Sequence, residues 1–162
     1  MTSPALLLDT NVWHDFEMGE DSDRKSSELV LWALAHDVRL GIAAHSLKDL
    51  FTLIERDLKA ENRKYPLIEA EQSGSAARAV AWGALASIIE HVEIIGSDYM
   101  DAYLALKYRT LHDYYEDNLV IAACERMKAD VLVTSDQKLL KHAPVLCMTP
   151  AAALGWLQIK LG

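Results

Sequence analysis

The chain has 162 residues, 51% of them hydrophobic, which is enough for one domain with a substantial core. Its 24 acidic residues outnumber 16 Lys and Arg, and the formal net charge of -8 argues against a broad basic surface for nucleic-acid phosphates. The two cysteines, Cys124 and Cys147, lack paired spacing, which argues against a disulfide framework or a zinc cluster.

Other large-scale features are also absent from the sequence. It has no leader-like N-terminus and no apolar run approaching the roughly 18 to 20 residues of a membrane span, so we expect a cytoplasmic protein without membrane contact. It has no internal repeat, and its most linker-like piece, residues 71–75 (EQSGS), is too short to separate two domains. We therefore predict that residues 1–162 form a single domain.

Short apolar runs alternate along the chain with longer segments of helical periodicity. The runs predict strands at 5–8, 39–43, 92–95, 131–133 and 145–148. The periodic segments predict helices at about 24–36, 45–63, 75–90, 98–110, 116–128 and 150–160. Candidate start signals are Ser46 with Asp49, Ser97, and Thr149 followed by Pro150. This alternation predicts the α/β class, with helices on both faces of a mostly parallel sheet of four to five strands.

Two of the predicted helices have informative surfaces. In the helix at 45–63, one side is an apolar stripe. The opposite side carries His45, Asp49, Thr52, Arg56 and Arg63. That side is either a plain solvated face or one that points Asp49 into a cleft. The segment at 76–89 (AARAVAWGALASII) is apolar nearly all round, which indicates burial at a subunit or partner interface.

Acidic residues follow two of the predicted strands directly. Asp9 is the residue after the run ALLL, and Asp136 follows the run VLV after Thr134 and Ser135. In open parallel sheets, ligands bind in the crevice beyond the carboxyl ends of the strands. Two strands are therefore expected to deliver a carboxylate to the same edge.

A third group of acids precedes a strongly apolar helix. Asp113, Glu116 and Asp117 occur in HDYYEDNLVIAACERM, where acids can simply cap the helix and complement its dipole. Asp117 also lies in the first turn of the helix that leads into the strand before Asp136. The two carboxylates can therefore come close together.

A convergence of Asp9, Asp49, Asp117 and Asp136 would be costly unless some of them protonate or a cation neutralises them. Hard carboxylate oxygens, without Cys or paired His ligands, suit Mg²⁺ or Mn²⁺. Such a site can activate water and stabilise an in-line displacement at phosphorus.

The same residues carry a resemblance to a known family. The motifs LLLDTNVW, AHSLKDLFTLIE, YYEDNLVIAAC and VLVTSDQKLL, followed by a helix that begins with TP, resemble the PIN domain, the fold of the VapC-type toxin ribonucleases. The order and approximate spacing hold from Asp9 to Thr149. Each motif is weak alone, but the ordered set is fairly specific.

The resemblance implies roles for individual residues. Asp9, Asp117 and Asp136 match the first, third and fourth acids of the family's metal site. Asp49 stands where the family usually has glutamate, so it is expected to reach the metal directly or through water. The matching polar positions, which would orient carboxylates or water, are Thr10 or Asn11 and Thr134. The flanking acids Asp113 and Glu116 are substitutes for Asp117, ranked below it.

The resemblance also implies a fold, an activity and partners. The fold is a three-layer α/β/α sandwich, and the activity is Mg²⁺- or Mn²⁺-dependent endonucleolytic hydrolysis of RNA by a toxin of a toxin-antitoxin pair. An antitoxin protein and a homodimer are expected. By position alone, the candidates for steering the RNA backbone are Arg56, Arg63, Arg24 and Lys25.

Three alternatives compete with this interpretation. A phosphatase of the haloacid-dehalogenase kind would place a second acid two residues after Asp9, where this chain has Asn11. A nucleotide-binding Rossmann domain would need a glycine-rich turn after the first strand, and none is present. The third alternative is a catalytically inactive PIN-like module that binds protein or RNA, and Asp49 in place of glutamate favours it.

Overall fold

A computed structural model describes residues 3–19, 24–65 and 69–162 of the chain. Within these ranges, one parallel sheet has the strand order β3-β2-β1-β4-β5. The strands are β1 (Ala5–Leu8), β2 (Arg39–Ala43), β3 (Glu93–Ile95), β4 (Val131–Val133) and β5 (Cys147–Met148). The helices are α1 (Thr10–Met18), α2 (Lys25–Ala35), α3 (Ala44–Asn62), α4 (Ala70–His91), α5 (Tyr99–Tyr108), α6 (Tyr115–Met127), α7 (Gln137–His142) and α8 (Pro150–Leu161). The predicted α/β class and three-layer arrangement are confirmed.

The central strand β1 shows why its sequence is apolar without alternation. Leu6 and Leu8 pack into a core with residues of α1, α2, α3, α4 and α8. Ala5 and Leu7 point to the other side, where they pack with α6 and α7. Both faces of the sheet are covered, so a parallel central strand buries every side chain.

Helix α6 packs unusually close to the sheet at Gly41 in β2. A Cβ atom at this position would lie 3.2 Å from Leu7 Cδ1 and would collide with the Met127 side chain of α6. The absence of a side chain at Gly41 therefore allows α6 to lie on the sheet, with the first turn of α6 near the carboxyl ends of the strands.

Helices α1, α4 and α7 differ from the sequence prediction. Helix α1 starts directly after β1 and was not predicted, because only Val12 and Trp13 of its nine residues are buried. The six-residue α7 was too short to show a period. The supposed linker 71–75 lies inside α4, where Ser73 and Gly74 are buried. Small residues that resemble a linker in sequence instead permit close packing of α3 and α4.

The predicted helix start signals have mixed outcomes. The Thr149 hydroxyl accepts a hydrogen bond from a backbone N–H in the first turn of α8, as predicted. The prediction at Ser46 is wrong, because α3 begins after Ala43 without a side-chain cap. Helix α5 is capped by Asp98 rather than by Ser97. Across the described ranges, no helix has the length and apolar character needed to cross a membrane.

Candidate active site

The carboxyl ends of β1 and β4 lie side by side and carry two of the predicted acids. The strands are parallel neighbours, with Leu8 paired to Val133. Asp9 follows β1, and its backbone N–H donates to the Val133 carbonyl at 2.9 Å. Asp136 follows β4 and begins α7. The structure therefore places both carboxylates at one edge of the sheet.

The Asp9 side chain is buried and held by three donors. Oδ1 accepts from the Thr10 backbone N–H at 2.7 Å, which caps α1. Oδ2 accepts from the Thr134 hydroxyl at 2.7 Å and from Asn11 Nδ2 at 3.0 Å. These hydrogen bonds fix the carboxylate orientation and stabilise its charged form.

Thr134 and Asn11 also tie the loop after β4 to the start of α1. The fully buried Thr134 Oγ1 accepts from the Asp136 backbone N–H at 3.0 Å and from Asn11 Nδ2 at 3.3 Å. Asn11 Oδ1 accepts from the Ser135 backbone N–H at 3.2 Å. The polar residues that the resemblance singled out thus form one network that connects Asp9 with Asp136.

Asp136 has a structural role of its own. Its Oδ1 accepts from the backbone N–H groups of Lys138 at 2.7 Å and Leu139 at 3.1 Å, so the carboxylate caps α7. An acid in this position stabilises a helix start whether or not it binds a ligand.

Asp117, in the first turn of α6, shares an electrostatic environment with these two acids. Burial is the main cause that raises its pKa to about 6, and the negative charge of Asp9 is the next. The charges of Asp136 and Glu116 act in the same direction. Burial also raises the pKa of Asp9, and the charge of Asp136 adds to that effect. Burial and neighbouring negative charge therefore oppose the ionisation of Asp9 and Asp117 at this edge.

The buried imidazole of His112 faces Asp117, which the sequence analysis did not foresee. Its Nε2 lies 3.5 Å from Asp117 Oδ2, and its Nδ1 is placed to accept from the Tyr114 backbone N–H at 3.3 Å. Nε2 makes no hydrogen bond with the described residues, so the imidazole lies beside the Asp117 carboxylate without bonding to it. The position of His112, five residues before Asp117, was the only signal in the sequence.

A cavity of about 580 Å³ opens above the acids. Asp49 lies on its α3 wall, turned away from the buried Leu50 and Ile54, as the helical stripe predicted. Asp49 therefore lines the cavity. It is not among the acids whose charge raises the pKa of Asp117, which are Asp9, Asp136 and Glu116. The lining comprises Asp9, Thr10, Asn11, His14, His45, Ser46, Lys48, Asp49, Thr52, Leu53, Arg56, Glu116, Asp117, Val120 and Asp136.

Arg56 is the one of the four suggested RNA-steering residues that lines this cavity. It pairs with Asp57 at 2.7 Å, and Asp57 also contacts His14 Nε2 at 2.9 Å. The other three suggested RNA-steering residues are not among the described residues that line the cavity; they are Arg63, Arg24 and Lys25. The flanking acid Asp113 does not line it either.

The donor set suits a hard divalent cation, although the side chains do not converge on one point. Among residues 3–19, 24–65 and 69–162, no group of three or more His, Cys, Asp or Glu side chains stands close enough to hold an ion. Asp9, Asp117 and Asp136 offer only carboxylate oxygens, and a cation would relieve the repulsion that raises the pKa of Asp117. The residues therefore fit such an ion by their chemistry, and ligation requires side-chain movement.

Comparisons with solved structures show the same fold. The structure of VapBC2 from Rickettsia felis, bound to a DNA fragment from their promoter, matches with a TM-score of 0.58 and 14% identity, over 90% of this chain and 98% of that one. VapC20 of Mycobacterium tuberculosis, a sarcin-ricin loop cleaving toxin, matches with a TM-score of 0.54 and 17% identity, over 78% of this chain and 86% of that one. At these identities the likeness shows the fold alone.

Sequence comparisons identify the family. No curated protein sequence matches the chain significantly. The family profile of the PIN domain matches residues 5–138, which include β1, Asp9, Asp117 and Asp136. The chain therefore belongs to the PIN domain family.

Proposed function

We propose that the chain is a divalent-metal-dependent endoribonuclease and the toxin of a toxin-antitoxin pair. The observation that carries the proposal is the grouping of Asp9, Asp117 and Asp136 on one cavity wall, where burial and mutual repulsion raise the pKa of Asp117 to about 6. Acids with perturbed pKa values in a cavity are typical of functional sites.

The proposed cofactor is Mg²⁺ or Mn²⁺. Asp9, Asp117 and Asp136 would hold it, with Asp49 contributing directly or through water. When bound, the ion supplies Lewis-acid chemistry, which activates water and offsets the charge that develops at phosphorus.

The protein's own side chains prepare this site before any ion arrives. Thr134 and Asn11 hold Asp9 Oδ2, so one carboxylate is oriented in advance. The His112 imidazole lies beside a second carboxylate, with Nε2 3.5 Å from Asp117 Oδ2. Such supporting contacts hold functional groups in place and lower the cost of assembling the site.

The substrate and the partner are proposed from the relatives. VapC20 is a sarcin-ricin loop cleaving toxin, and VapBC2 is bound to a DNA fragment from their promoter. From these likenesses we propose an RNA substrate and an antitoxin protein as the partner of this chain. Arg56 would contact an RNA phosphate in the cavity, and Arg63, Arg24 and Lys25 would act only on RNA that extends beyond it.

A cleavage assay on a mixture of structured RNAs tests the activity. The wild type is expected to cut with Mn²⁺ and to stop in a chelator, and Asp9→Asn and Asp136→Asn are each expected to lower the rate at least about a hundredfold. Asp37→Asn, the same change at an exposed turn, is the matched control and should cleave normally. Equal cleavage by all four proteins would reject the mechanism, because a contaminating nuclease would then explain it.

Thermal unfolding separates this proposal from the inactive binding module. Because a ligand that binds only the folded state stabilises it, millimolar Mn²⁺ should raise the Tm of the wild type and not that of Asp9→Asn. A wild type whose Tm is unchanged by metal favours the binding module. Growth arrest on expression, relieved by a co-expressed antitoxin, tests the toxin assignment separately.

A further inference from the structure

A second cavity of about 420 Å³ adjoins the acidic one. Glu116, Asp117 and Asp136 line both cavities, so the two share a wall at the proposed reaction centre. The rest of the lining is Tyr114 and Tyr115, and neither tyrosine has a role in the proposed metal site.

The two tyrosines are exposed to an extent that packing does not explain. Tyr114 is 61% exposed and Tyr115 is 53% exposed, although both are large aromatic side chains. Two exposed tyrosines that line one cavity leave apolar area in water that a flat, apolar ligand could cover.

Tyr114 is held firmly in this position. Its backbone N–H donates to His112 Nδ1 at 3.3 Å, and its ring centroid lies 5.9 Å from that of the buried imidazole. Its carbonyl accepts from the Asn118 backbone N–H at 3.1 Å, in the first turn of α6. The backbone and the ring of Tyr114 are therefore both anchored.

The turn that carries Tyr114 is itself locked from inside the protein. The buried Asn118 side chain donates through Nδ2 to the carbonyl of His112 at 2.9 Å and to that of Ala105 at 3.2 Å. These bonds join the end of α5, the turn and the start of α6. A surface held in this way loses little conformational entropy when a ligand binds.

A positive charge accompanies the ring. Lys138 Nζ lies 5.2 Å from the centroid of the Tyr114 ring, and the backbone N–H of Lys138 donates to the Asp136 carboxylate that caps α7. A nucleotide has a flat base and a phosphate, which match an aromatic ring and a nearby ammonium group. This combination, beside a cavity proposed to receive a phosphodiester, favours a nucleotide over a peptide.

We propose that Tyr114 and Tyr115 form a subsite that binds an unpaired nucleobase next to the scissile phosphodiester, with Lys138 contacting a flanking phosphate. The inference rests on the proposed function, because it takes RNA as the substrate. It assigns the substrate class as RNA with at least one base free to leave its helical stack, since a paired base cannot cover a tyrosine ring.

Binding of a fluorescein-labelled single-stranded RNA of about 12 nucleotides, followed by anisotropy with Mg²⁺ present, tests the subsite. Every protein carries Asp9→Asn, which keeps the RNA intact and lies outside the smaller cavity. Adding Tyr114→Ala or Tyr115→Ala should weaken binding about tenfold each, because the stacking surface is lost. Adding Tyr114→Phe, which keeps the ring, should restore binding to within about twofold.

A matched control and a modified RNA complete the design. Tyr99→Ala removes a still more exposed tyrosine from α5, outside both cavities, and should leave binding unchanged. In a series of RNAs with one abasic position each, loss of the base at one position should weaken binding to the Asp9→Asn protein about tenfold. The same loss should have no effect on binding to the protein that also carries Tyr114→Ala.

The outcomes separate this inference from the proposed function. Unchanged RNA binding by Tyr114→Ala and Tyr115→Ala, with cleavage by the wild type intact, would overturn the subsite alone. Loss of antitoxin binding by these variants, with RNA binding unchanged, would overturn it in favour of a protein-docking surface. If the wild type cleaves no RNA, the proposed function fails, and the binding experiment still decides whether the tyrosines contact RNA.

Discussion

Asp117 is a carboxyl group whose ionisation the folded structure makes unfavourable. Its pKa rises from 3.8 to about 6 because the side chain is partly buried and faces the charge of Asp9. Between these two values the folded state binds more protons at this group than the unfolded state does. The free energy of unfolding therefore falls as pH rises through that window and stays lower above it.

The first prediction is that Asp117→Asn stabilises the metal-free protein at neutral pH. At pH 7.5 the substitution removes a charge that is costly when the protein is folded, and we expect a gain of roughly 1 to 2 kcal/mol after allowing for solvent screening. At pH 4, where the folded wild type is already protonated at this group, the gain should be small. Urea unfolding in a chelator at both pH values measures the difference.

Asp113→Asn is the control for this experiment, since Asp113 is exposed and lies outside the acidic cavity. It should change the free energy of unfolding little, because the Asp113 side chain is exposed. An Asp117→Asn protein no more stable at pH 7.5 than the wild type would contradict the pKa assignment.

Helix α3 decides how far Asp49 can reach. The apolar stripe that includes Leu50 and Ile54 packs into the core, which turns Asp49 toward the cavity. Its position is therefore set by the helix, and its reach by the length of its side chain. Aspartate is one methylene shorter than the glutamate that is usual here in the family.

The second prediction concerns that missing methylene. Asp49→Glu should lower the Mn²⁺ concentration that gives half-maximal RNA cleavage by a few-fold, because the longer side chain reaches a metal without a bridging water. Asp49→Asn should raise it about tenfold, since an amide is a weaker ligand for a hard cation. Titration of Mn²⁺ in the cleavage assay measures both changes.

Glu61→Asp, at an exposed site near the other end of α3, controls for the change of side-chain length. If Asp49→Glu and Asp49→Asn both leave the metal dependence as it is in the wild type, Asp49 contributes nothing to the site.

At the scale of the whole molecule, α4 has large apolar side chains that the described residues leave exposed. Ala77, Ala81 and Ala84 pack inward, while Trp82 and Ile89, which lie on the same side of the helix, remain exposed. An apolar surface of this kind is typical of a protein interface. Burial of α4 at a subunit or partner interface stays a prediction, and we propose that a second copy of the chain covers this surface.

The third prediction is that Trp82→Glu weakens this dimer. The wild type should sediment as a dimer at about 10 μM, and the variant as a monomer, because each copy would bring a charge into an apolar interface. Met100→Glu places the same charge on an exposed apolar residue of α5, in the layer on the other side of the sheet, and should leave the dimer intact. Sedimentation velocity distinguishes these outcomes, and a monomeric wild type would contradict the proposal.

The sequence by itself determined the features that depend on neighbours in the chain. The uninterrupted apolar run before Asp9 predicted a buried strand, and the stripe of α3 predicted which way Asp49 points. Thr149 and Pro150 predicted the start of α8. The ordered motifs also indicated the family. That residues 1–162 form a single domain remains a prediction.

Only the tertiary structure decided how the acids act on one another. Asp9 and Thr134 are 125 positions apart, and their hydrogen bond exists because β1 and β4 are neighbours in the sheet. The raised pKa of Asp117 depends on burial and on charges from other elements, and no local pattern encodes either. The sequence passed over His112 for the same reason, because a histidine becomes part of a site only when folding buries it against a partner.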